Sequence, residues 1–172
     1  MLIRQETEKD YRQVYKLIKT AFASAEHSDG NEQDLVSALR KGAAFVPQLS
    51  LVAEIDGQIA GHILFTEAMV GRVTVLALAP LSVLPAYQRQ GIGTALIAAG
   101  HKIARGLGYP YSLVLGSKRY YPRFGYRPAG QFGIQAPPGI SAANFMALPL
   151  QEPAQPLCGA VAYALEFGIE ST

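Results

Sequence analysis

A glycine-rich hexapeptide in the middle of the chain has the residue types and spacing of a ligand-binding turn. It spans residues 88–93, Gln-Arg-Gln-Gly-Ile-Gly, and joins an apolar strand-like run to a helical stripe. Glycine lets a ligand approach the main chain closely because it has no Cβ. The first amides of a helix lack internal partners and, with the helix dipole, favour a phosphate group. The spacing therefore predicts an anion-binding turn, with Arg89 as a mobile positive charge at its mouth.

Two common nucleotide-binding motifs do not fit this turn. A dinucleotide-binding fingerprint needs a third small residue where the chain has Leu96, and an acidic residue about twenty positions later. The chain has no acidic residue between Glu67 and Glu152. A Walker P-loop needs a Gly-Lys pair, which the chain lacks. The turn is therefore either a pyrophosphate site of another type or a strand-to-helix connection that binds nothing.

The charges are distributed unevenly along the chain. The net charge is only +2, yet residues 68–151 contain basic residues and no acidic one. The basic residues are Arg72, Arg89, Lys102, Arg105, Lys118, Arg119, Arg123 and Arg127. Such a stretch indicates that the middle of the chain meets an anion, either a nucleic acid or a small polyanionic cofactor. The basic residues are scattered and no groove-reading motif accompanies them, which favours the cofactor.

Length and composition are typical of one globular domain. The chain has 172 residues, of which 49% are hydrophobic and 16% charged, enough for a core and too little charge for a disordered chain. No apolar run reaches the roughly 18 residues of a membrane span, and no signal-peptide pattern precedes the early charge at Arg4. The single cysteine, Cys158, excludes an internal disulfide. We expect a single domain over residues 1–172, in the cytoplasm and without membrane contact.

Apolar periodicity predicts alternating strands and helices around the turn. An Asp-Gly pair at residues 56–57, between two alternating runs, is a strong hairpin signal. The predicted strands span residues 2–5, 50–55, 58–65, 73–83, 111–115, 143–150 and 160–167. The predicted helices span residues 8–22, 31–41 and about 92–107, with a turn or helix over 118–124. The pattern predicts a mixed α/β domain with helices packed on a sheet.

The turn and a later tyrosine segment together resemble the GNAT superfamily of acetyl-CoA-dependent N-acetyltransferases. Residues 88–93 match its Q/R-x-x-G-x-G/A signature. Residues 120–126, Tyr-Tyr-Pro-Arg-Phe-Gly-Tyr, resemble the aromatic-Tyr-x-x-x-Gly-aromatic segment that follows the family's fifth strand. The resemblance covers residues 1 to about 130. The C-terminal runs are similar to those of a bacterial branch of uncharacterised acetyltransferases in this superfamily.

The resemblance implies a fold and a cofactor. The fold is a mixed, mostly antiparallel central sheet with helices on both faces and a splayed fourth and fifth strand that bind acetyl-CoA. The amides from Arg89 to Thr94 would hold the pyrophosphate, and the pantetheine arm would lie along the backbone near residues 82–84 like an added strand. The expected cofactor-binding residues are Leu81, Ser82, Val83, Leu84, Gln88, Arg89, Gln90, Gly91, Ile92, Gly93, Thr94, Gly116, Tyr121, Arg123 and Phe124.

The resemblance also implies catalytic roles. An amine attacks the thioester directly in a ternary complex, while a strand amide polarises the carbonyl. Tyr121 stands four residues before Gly125, the position of the family's general acid, and would protonate the departing thiolate. The motif does not identify a general base. Glu67, just past the third predicted strand, is the nearest candidate, and Glu54 is another.

The acceptor is the least defined part of the prediction. In the family, the loop between the first two helices and late C-terminal segments bind it, and here that loop is residues 23–31, with Glu26, His27 and Asp29. We expect an enzyme that acetylates a primary amine of a small molecule, as a monomer or homodimer, with no nucleic acid as partner. The alternatives are a protein or peptide acceptor, a non-catalytic acyl-CoA-binding module and, more distantly, a nucleic-acid-binding domain.

Overall fold

Strands and helices alternate along the fold in the computed structural model, which describes residues 1–169. The helices are α1 (Tyr11–Phe22), α2 (Glu32–Leu39) and α3 (Ile92–Gly106). The strands are β1 (Leu2–Gln5), β2 (Phe45–Ile55), β3 (Gln58–Val70), β4 (Val73–Val83), β5 (Tyr111–Leu115), β6 (Arg127–Pro128), β7 (Ile134–Gln135), β8 (Phe145–Pro149) and β9 (Gly159–Ala162). The order of these elements follows the alternation that the sequence predicts.

Antiparallel pairing dominates the sheet. The strand order is β1-β2-β3-β4-β5-β8-β6, and β9 pairs with the far end of β3 and with β7. Within the described residues, only β4 with β5 and β7 with β9 are parallel. The predicted hairpin between β2 and β3 is confirmed, because Asp56 and Gly57 both take the positive φ that a two-residue turn of this kind requires.

Different helices cover the two faces of the sheet, because successive strand residues point to opposite sides. On one face, Val52 and Leu64 pack with the buried stripes of α1 and α2. On the other face, Leu51 and Phe65 pack with α3. The prediction of a mixed sheet with helices on both faces is therefore confirmed.

The pairing between β4 and β5 stops early. Its last partners are Leu78 and Val114. Beyond this point β4 continues to Val83 and pairs only with β3, while β5 pairs with β8 on its other side. Pro80, which has no N–H to donate, lies at the irregular register where the strands separate. We call this opening the β4–β5 gap; it is the splayed strand pair that the family resemblance implies.

Several predicted boundaries are wrong. Strand β3 runs five residues past the predicted end and pairs there with β4 and β9, so Glu67 lies inside the strand rather than after it. The predicted strand 160–167 is a short β9 followed by a 3-10 turn, Leu165–Phe167. Within α3, His101 is only 5% exposed, and its Nε2 atom lies 2.8 Å from the Tyr126 hydroxyl oxygen. The helices of the described chain are too short or too polar to cross a membrane.

Candidate functional site

The glycine-rich turn opens directly into the start of α3. Arg89 and Gly91 both take positive φ, +60° and +82°, which bends the chain sharply before the helix. The first helical hydrogen bond runs from the Ala95 N–H to the Gly91 carbonyl at 3.0 Å. The three amides before it, at residues 92–94, therefore have no helical acceptor and remain available to a ligand. No atom lies within 4 Å of the position that a Cβ on Gly91 would take, so the approach is open.

A cavity of about 600 Å³ lies over this turn. Its lining residues are Leu81, Val83, Tyr87, Gln88, Arg89, Gly91, Ile92, Gly93, Thr94, Tyr120 and Arg123. The charged lining side chains are Arg89 and Arg123, both positive, and we call this space the cationic cavity. The Arg123 guanidinium stacks 4.5 Å from the centre of the Tyr120 ring. Free helix amides, two guanidinium groups and apolar walls suit an elongated polyanion with an apolar arm.

A second cavity, of about 480 Å³, lies at the β4–β5 gap. Its lining residues are Phe22, Glu32, Leu35, Leu78, Ala79, Pro80, Leu81, Leu115, Gly116, Ser117, Tyr120 and Tyr121. The charged lining residue is Glu32, and we call this space the Glu32 cavity. The two cavities share Leu81 and Tyr120. The gap thus lies between a positively charged space on the α3 side and a negatively charged one beside α1 and α2.

The backbone of β4 borders the gap. Leu81 lines both cavities, and β5 offers its backbone no partner, because the ladder has already ended at Leu78. The Val83 carbonyl accepts a hydrogen bond of 3.3 Å from the Gln88 side-chain amide. The Leu84 N–H donates to the Ala60 carbonyl at 2.9 Å, so it is not available to a ligand. Pantetheine contacts, if the arm lies here, therefore fall to Leu81 and Val83 more than to Leu84.

The two adjacent tyrosines occupy different positions. The Tyr121 ring packs against Gly116, where a Cβ would lie 2.4 Å from its Cε2 atom, and it lines the Glu32 cavity. Burial raises the pKa of the Tyr121 phenol well above its usual value, and the neighbouring Tyr120 adds to this effect. Tyr121 is therefore a protonated hydroxyl that can donate. The Tyr120 hydroxyl instead lies over Gly93, 2.7 Å from the position of a Cβ there.

Besides Leu84, four of the predicted cofactor-binding residues do not line the cationic cavity. Gly116 and Tyr121 line the Glu32 cavity rather than the cationic one. The Ser82 side chain is 2% exposed and lies opposite His62 in the neighbouring strand. Phe124 packs on the core beside Tyr120. Of these, the lining residues of either cavity include only Gly116 and Tyr121.

All but one of the remaining predicted cofactor-binding residues line the cationic cavity. Gln90 is exposed, and its side chain donates to the Ala86 carbonyl at 3.0 Å rather than lining the cavity. The other predicted residues of the turn and of β4 line the cavity, namely Leu81, Val83, Gln88, Arg89, Gly91, Ile92, Gly93 and Thr94, and so does Arg123.

Glu67, predicted as the nearest candidate for the general base, does not lie with the other candidate residues and lines neither cavity. Its carboxylate accepts a hydrogen bond of 2.5 Å from the Tyr109 hydroxyl. Tyr109 follows the end of α3, whereas both cavities lie near the start of that helix. Glu54, the other candidate, accepts a hydrogen bond of 3.0 Å from Arg4 at the first strand. Both carboxylates therefore have structural partners away from the gap.

Sequence reasoning missed Glu32. The residue falls in the first turn of α2, where an acidic side chain is expected to stabilise the helix dipole and needs no further role. The sequence does not show that Glu32 lines a cavity, because the strand residues across that cavity lie more than forty positions later in the chain. The loop predicted to bind the acceptor, residues 23–31, ends one residue before Glu32, and none of its residues lines the Glu32 cavity.

Comparisons with known proteins agree with the fold described above. Residues 11–126 match the acetyltransferase (GNAT) family. The uncharacterised N-acetyltransferase YjhQ of Escherichia coli K12 is 42% identical over 111 residues, which are 62% of this chain and 61% of YjhQ, less than two thirds of its length. A GNAT family acetyltransferase from Brucella melitensis, crystallised with acetyl-CoA, is 35% identical, with a TM-score of 0.81 over 96% of this chain and 97% of that protein. YhbS from Escherichia coli, crystallised with CoA, is 28% identical, with a TM-score of 0.87 over 99% and 93%.

Proposed function

Because the chain belongs to the acetyltransferase (GNAT) family, we propose that it transfers the acetyl group of acetyl-CoA to a primary amine of a small molecule. Membership of the family makes it an acetyltransferase with acetyl-CoA as donor, and the proposal concerns the acceptor and the residues that act on it. The observation that carries it is the meeting of two oppositely charged cavities at the β4–β5 gap, since donor and acceptor must bind together for direct transfer.

The cationic cavity fits coenzyme A. The open φ-positive turn at Gly91 and the free amides at residues 92–94 suit a pyrophosphate. Arg89 and Arg123 supply positive charge for the phosphates. The apolar wall of Leu81 and Val83, beside backbone groups without a strand partner, suits an extended arm with amide groups. When bound, acetyl-CoA supplies the thioester whose carbonyl carbon the amine attacks.

Groups of the chain meet two further requirements of the transfer, a hydrogen-bond donor to the carbonyl oxygen and an acid for the leaving thiolate. The β4 backbone at Leu81 borders the gap and is positioned to donate to the thioester carbonyl oxygen as it gains negative charge. The amine attacks in its neutral form, after its ammonium group has released a proton to water. The Tyr121 hydroxyl, kept protonated by burial, donates its proton to the sulfur as the carbon–sulfur bond breaks, and the proton that the nitrogen loses as the amide forms restores the phenol. The apolar walls of the gap exclude water, which limits hydrolysis of the thioester.

A small acceptor is favoured by the size of the Glu32 cavity. Its volume of about 480 Å³ lies within the usual range for small-molecule sites, roughly 300–1,000 Å³. Helices α1 and α2 close one side of it through Phe22 and Leu35. Further cavities adjoin it at Phe22 and Glu32 on one side and at Gly116 and Ser117 on the other, and a polypeptide acceptor is the alternative that would extend into them.

Calorimetric titration with acetyl-CoA tests the donor site. We expect micromolar binding of acetyl-CoA and no comparable binding of ADP or NAD. Gly91→Glu places a bulky negative charge in the turn and should abolish binding, because the residue has φ of +82° and faces the phosphates. Binding of acetyl-CoA by the wild type then justifies a screen of amines by thiol release. Absence of binding at low salt would overturn the assignment of the cationic cavity.

A further inference from the structure

Glu32 is the acidic residue that lines the Glu32 cavity, and its side chain forms no hydrogen bond or ion pair with residues 1–169. Its Oε2 atom is buried and makes no hydrogen bond within residues 1–169. The carboxylate also takes no part in the ion pairs among those residues, which involve Glu6, Asp10 and Glu54 as the acidic partners. The side chain as a whole is half-buried, and of its two carboxylate oxygens only Oε2 is buried without a partner. A buried carboxylate oxygen without a donor is costly, so a donor that arrives from outside the chain would stabilise it.

We propose that Glu32 selects the acceptor, by receiving the ammonium group of a primary amine whose remaining body is apolar. This inference rests on the proposed function, because it names the class of amine that the same site takes. Glu32 is a specificity-determining residue in this account.

The surroundings of the carboxylate define the rest of the acceptor. Phe22 and Leu35 of the helices and Pro80 of β4 form apolar walls of the same cavity. The other polar side chains of the lining, Ser117, Tyr120 and Tyr121, are neutral hydroxyls, so the lining has neither a cation for a carboxylate on the acceptor nor a second carboxylate for a further ammonium group. This disfavours amino acids with a free carboxylate and polyamines. An amine with an ammonium group beside an apolar chain or ring would pair with the Glu32 carboxylate and pack against the apolar walls.

The other acidic residues near α2 are poorer candidates. Glu26 and Asp29 of the preceding loop are exposed, where water and salt weaken their attraction for a cation. Asp34 is exposed and accepts a hydrogen bond of 2.8 Å from the Tyr15 hydroxyl. Lys19 lines a cavity that adjoins Glu32, yet it forms no ion pair with it in the described chain. Glu32 is thus the carboxylate that a ligand reaches in partly desolvated surroundings, where a charge pair is strongest.

The position of Glu32 also suits the chemistry. Tyr121 lines the same cavity from the 3-10 turn that follows β5, and Leu81 borders it at the gap. An ammonium group at Glu32 therefore shares one enclosed space with the proton donor and with the backbone that faces the thioester. Binding at this carboxylate would bring the amine to the reaction from the side opposite the donor's phosphates.

The test compares Glu32→Gln with Asp34→Asn. Both substitutions replace a carboxylate by an amide in the first turn of α2, so both weaken the helix dipole interaction equally, and only one lies in the cavity. Calorimetry measures binding of 2-phenylethylamine and of the neutral 2-phenylethanol to each protein saturated with CoA. We expect the wild type and Asp34→Asn to prefer the amine, and Glu32→Gln to lose about ten- to a hundredfold in amine affinity with little change for the alcohol.

Acetyl-CoA binding separates this inference from the proposed function. We expect Glu32→Gln to bind acetyl-CoA like the wild type, which also shows that the variant is folded. If the wild-type CoA complex binds neither probe, or if Glu32→Gln keeps the preference for the amine, the role of Glu32 is overturned while the donor assignment stands. If acetyl-CoA itself fails to bind, the proposed function fails first and the inference falls with it.

Discussion

Adjacent residues of the same type do different work at this site. Tyr120 and Tyr121 differ by one position, yet the Tyr120 hydroxyl lies over Gly93 at the start of α3, while Tyr121 faces the gap. The family resemblance, through the spacing to Gly125, singled out Tyr121 from the sequence, and its role as the acid stays a prediction. No such motif supported Glu67, and no local pattern shows which partner a strand carboxylate meets across the sheet, here the Tyr109 hydroxyl.

Replacing Tyr121 by Phe should lower turnover by about ten- to a hundredfold with little change in the affinity for acetyl-CoA. The substitution removes the proton donor and leaves the ring that packs on Gly116. Steady-state kinetics by thiol release, together with calorimetry for the donor, would measure both effects.

Tyr120→Phe is the matched control, because it removes the same group one position away. We expect it to keep most of the turnover and to affect mainly the cationic cavity. A large loss of turnover in Tyr120→Phe with a normal Tyr121→Phe would assign the acid to the other tyrosine.

At the scale of elements, the close approach of α3 to the sheet positions the turn. Gly100 permits this approach, because a Cβ there would lie 2.3 Å from the Cε2 atom of Phe65, which is fully buried. The helix can therefore lie close to β3, and its first residues reach the cationic cavity. The apolar stripe predicted the helix, but neither that Gly100 and His101 lie on its buried face nor how near the helix lies to the strand.

Gly100→Ala should lower the free energy of unfolding by about 1–2 kcal/mol. Overpacking in a core costs about 1–3 kcal/mol, and the better helix propensity of alanine returns up to about 1 kcal/mol. Gly106→Ala in the same helix has no atom within 4 Å of the new Cβ and should stabilise the protein slightly. Urea unfolding of both variants would measure this contrast. Equal effects of the two substitutions would contradict the packing argument.

The β4–β5 gap shows where sequence information ends for an element. The apolar run of residues 73–83 correctly predicted a strand, which lies between β3 and β5 in the interior of the sheet. The length of its ladder with β5 was not predictable from that run, because it depends on where Pro80 meets the register of β3 and on the pairing of β5 with β8. The family resemblance supplied the splay, and the residue pattern alone did not.

Across the whole molecule, buried histidines connect folding to pH. Burial lowers the pKa of His62 to about 3 and that of His101 to about 4, and nearby Arg40 and Arg105 add to these shifts. In the unfolded chain a histidine titrates near 6.5. Between these values the unfolded state binds more protons than the folded state, so stability is lost as the pH falls from about 6.5 towards 4.

The free energy of unfolding should therefore be lower at pH 5 than at pH 7, by about 1–2 kcal/mol for each buried histidine. Urea unfolding at several pH values would measure this slope. His101→Gln should reduce the slope, and His27→Gln, which changes an exposed loop residue, should leave it as it is. A slope unchanged by His101→Gln would contradict the assignment of its low pKa.

The distribution of charge along the chain indicates which of the two cavities is positive and which is negative. The stretch without acidic residues, 68–151, includes both cations of the cationic cavity, while Glu32 and its neighbours belong to the preceding part of the chain. The sign of charge on each side of the gap follows from that distribution. The cytoplasmic location and the monomeric or homodimeric state stay predictions.

The division of the two cavities between chain segments has a consequence for how such enzymes diversify. Phe22, Glu32 and Leu35 come from one stretch of 14 residues, which takes no part in lining the cationic cavity. Under the proposed function, substitution or recombination confined to this short stretch would change one side of the acceptor space without altering a residue that lines the cationic cavity. New acceptor preferences can then evolve while the residues proposed to hold the donor stay as they are.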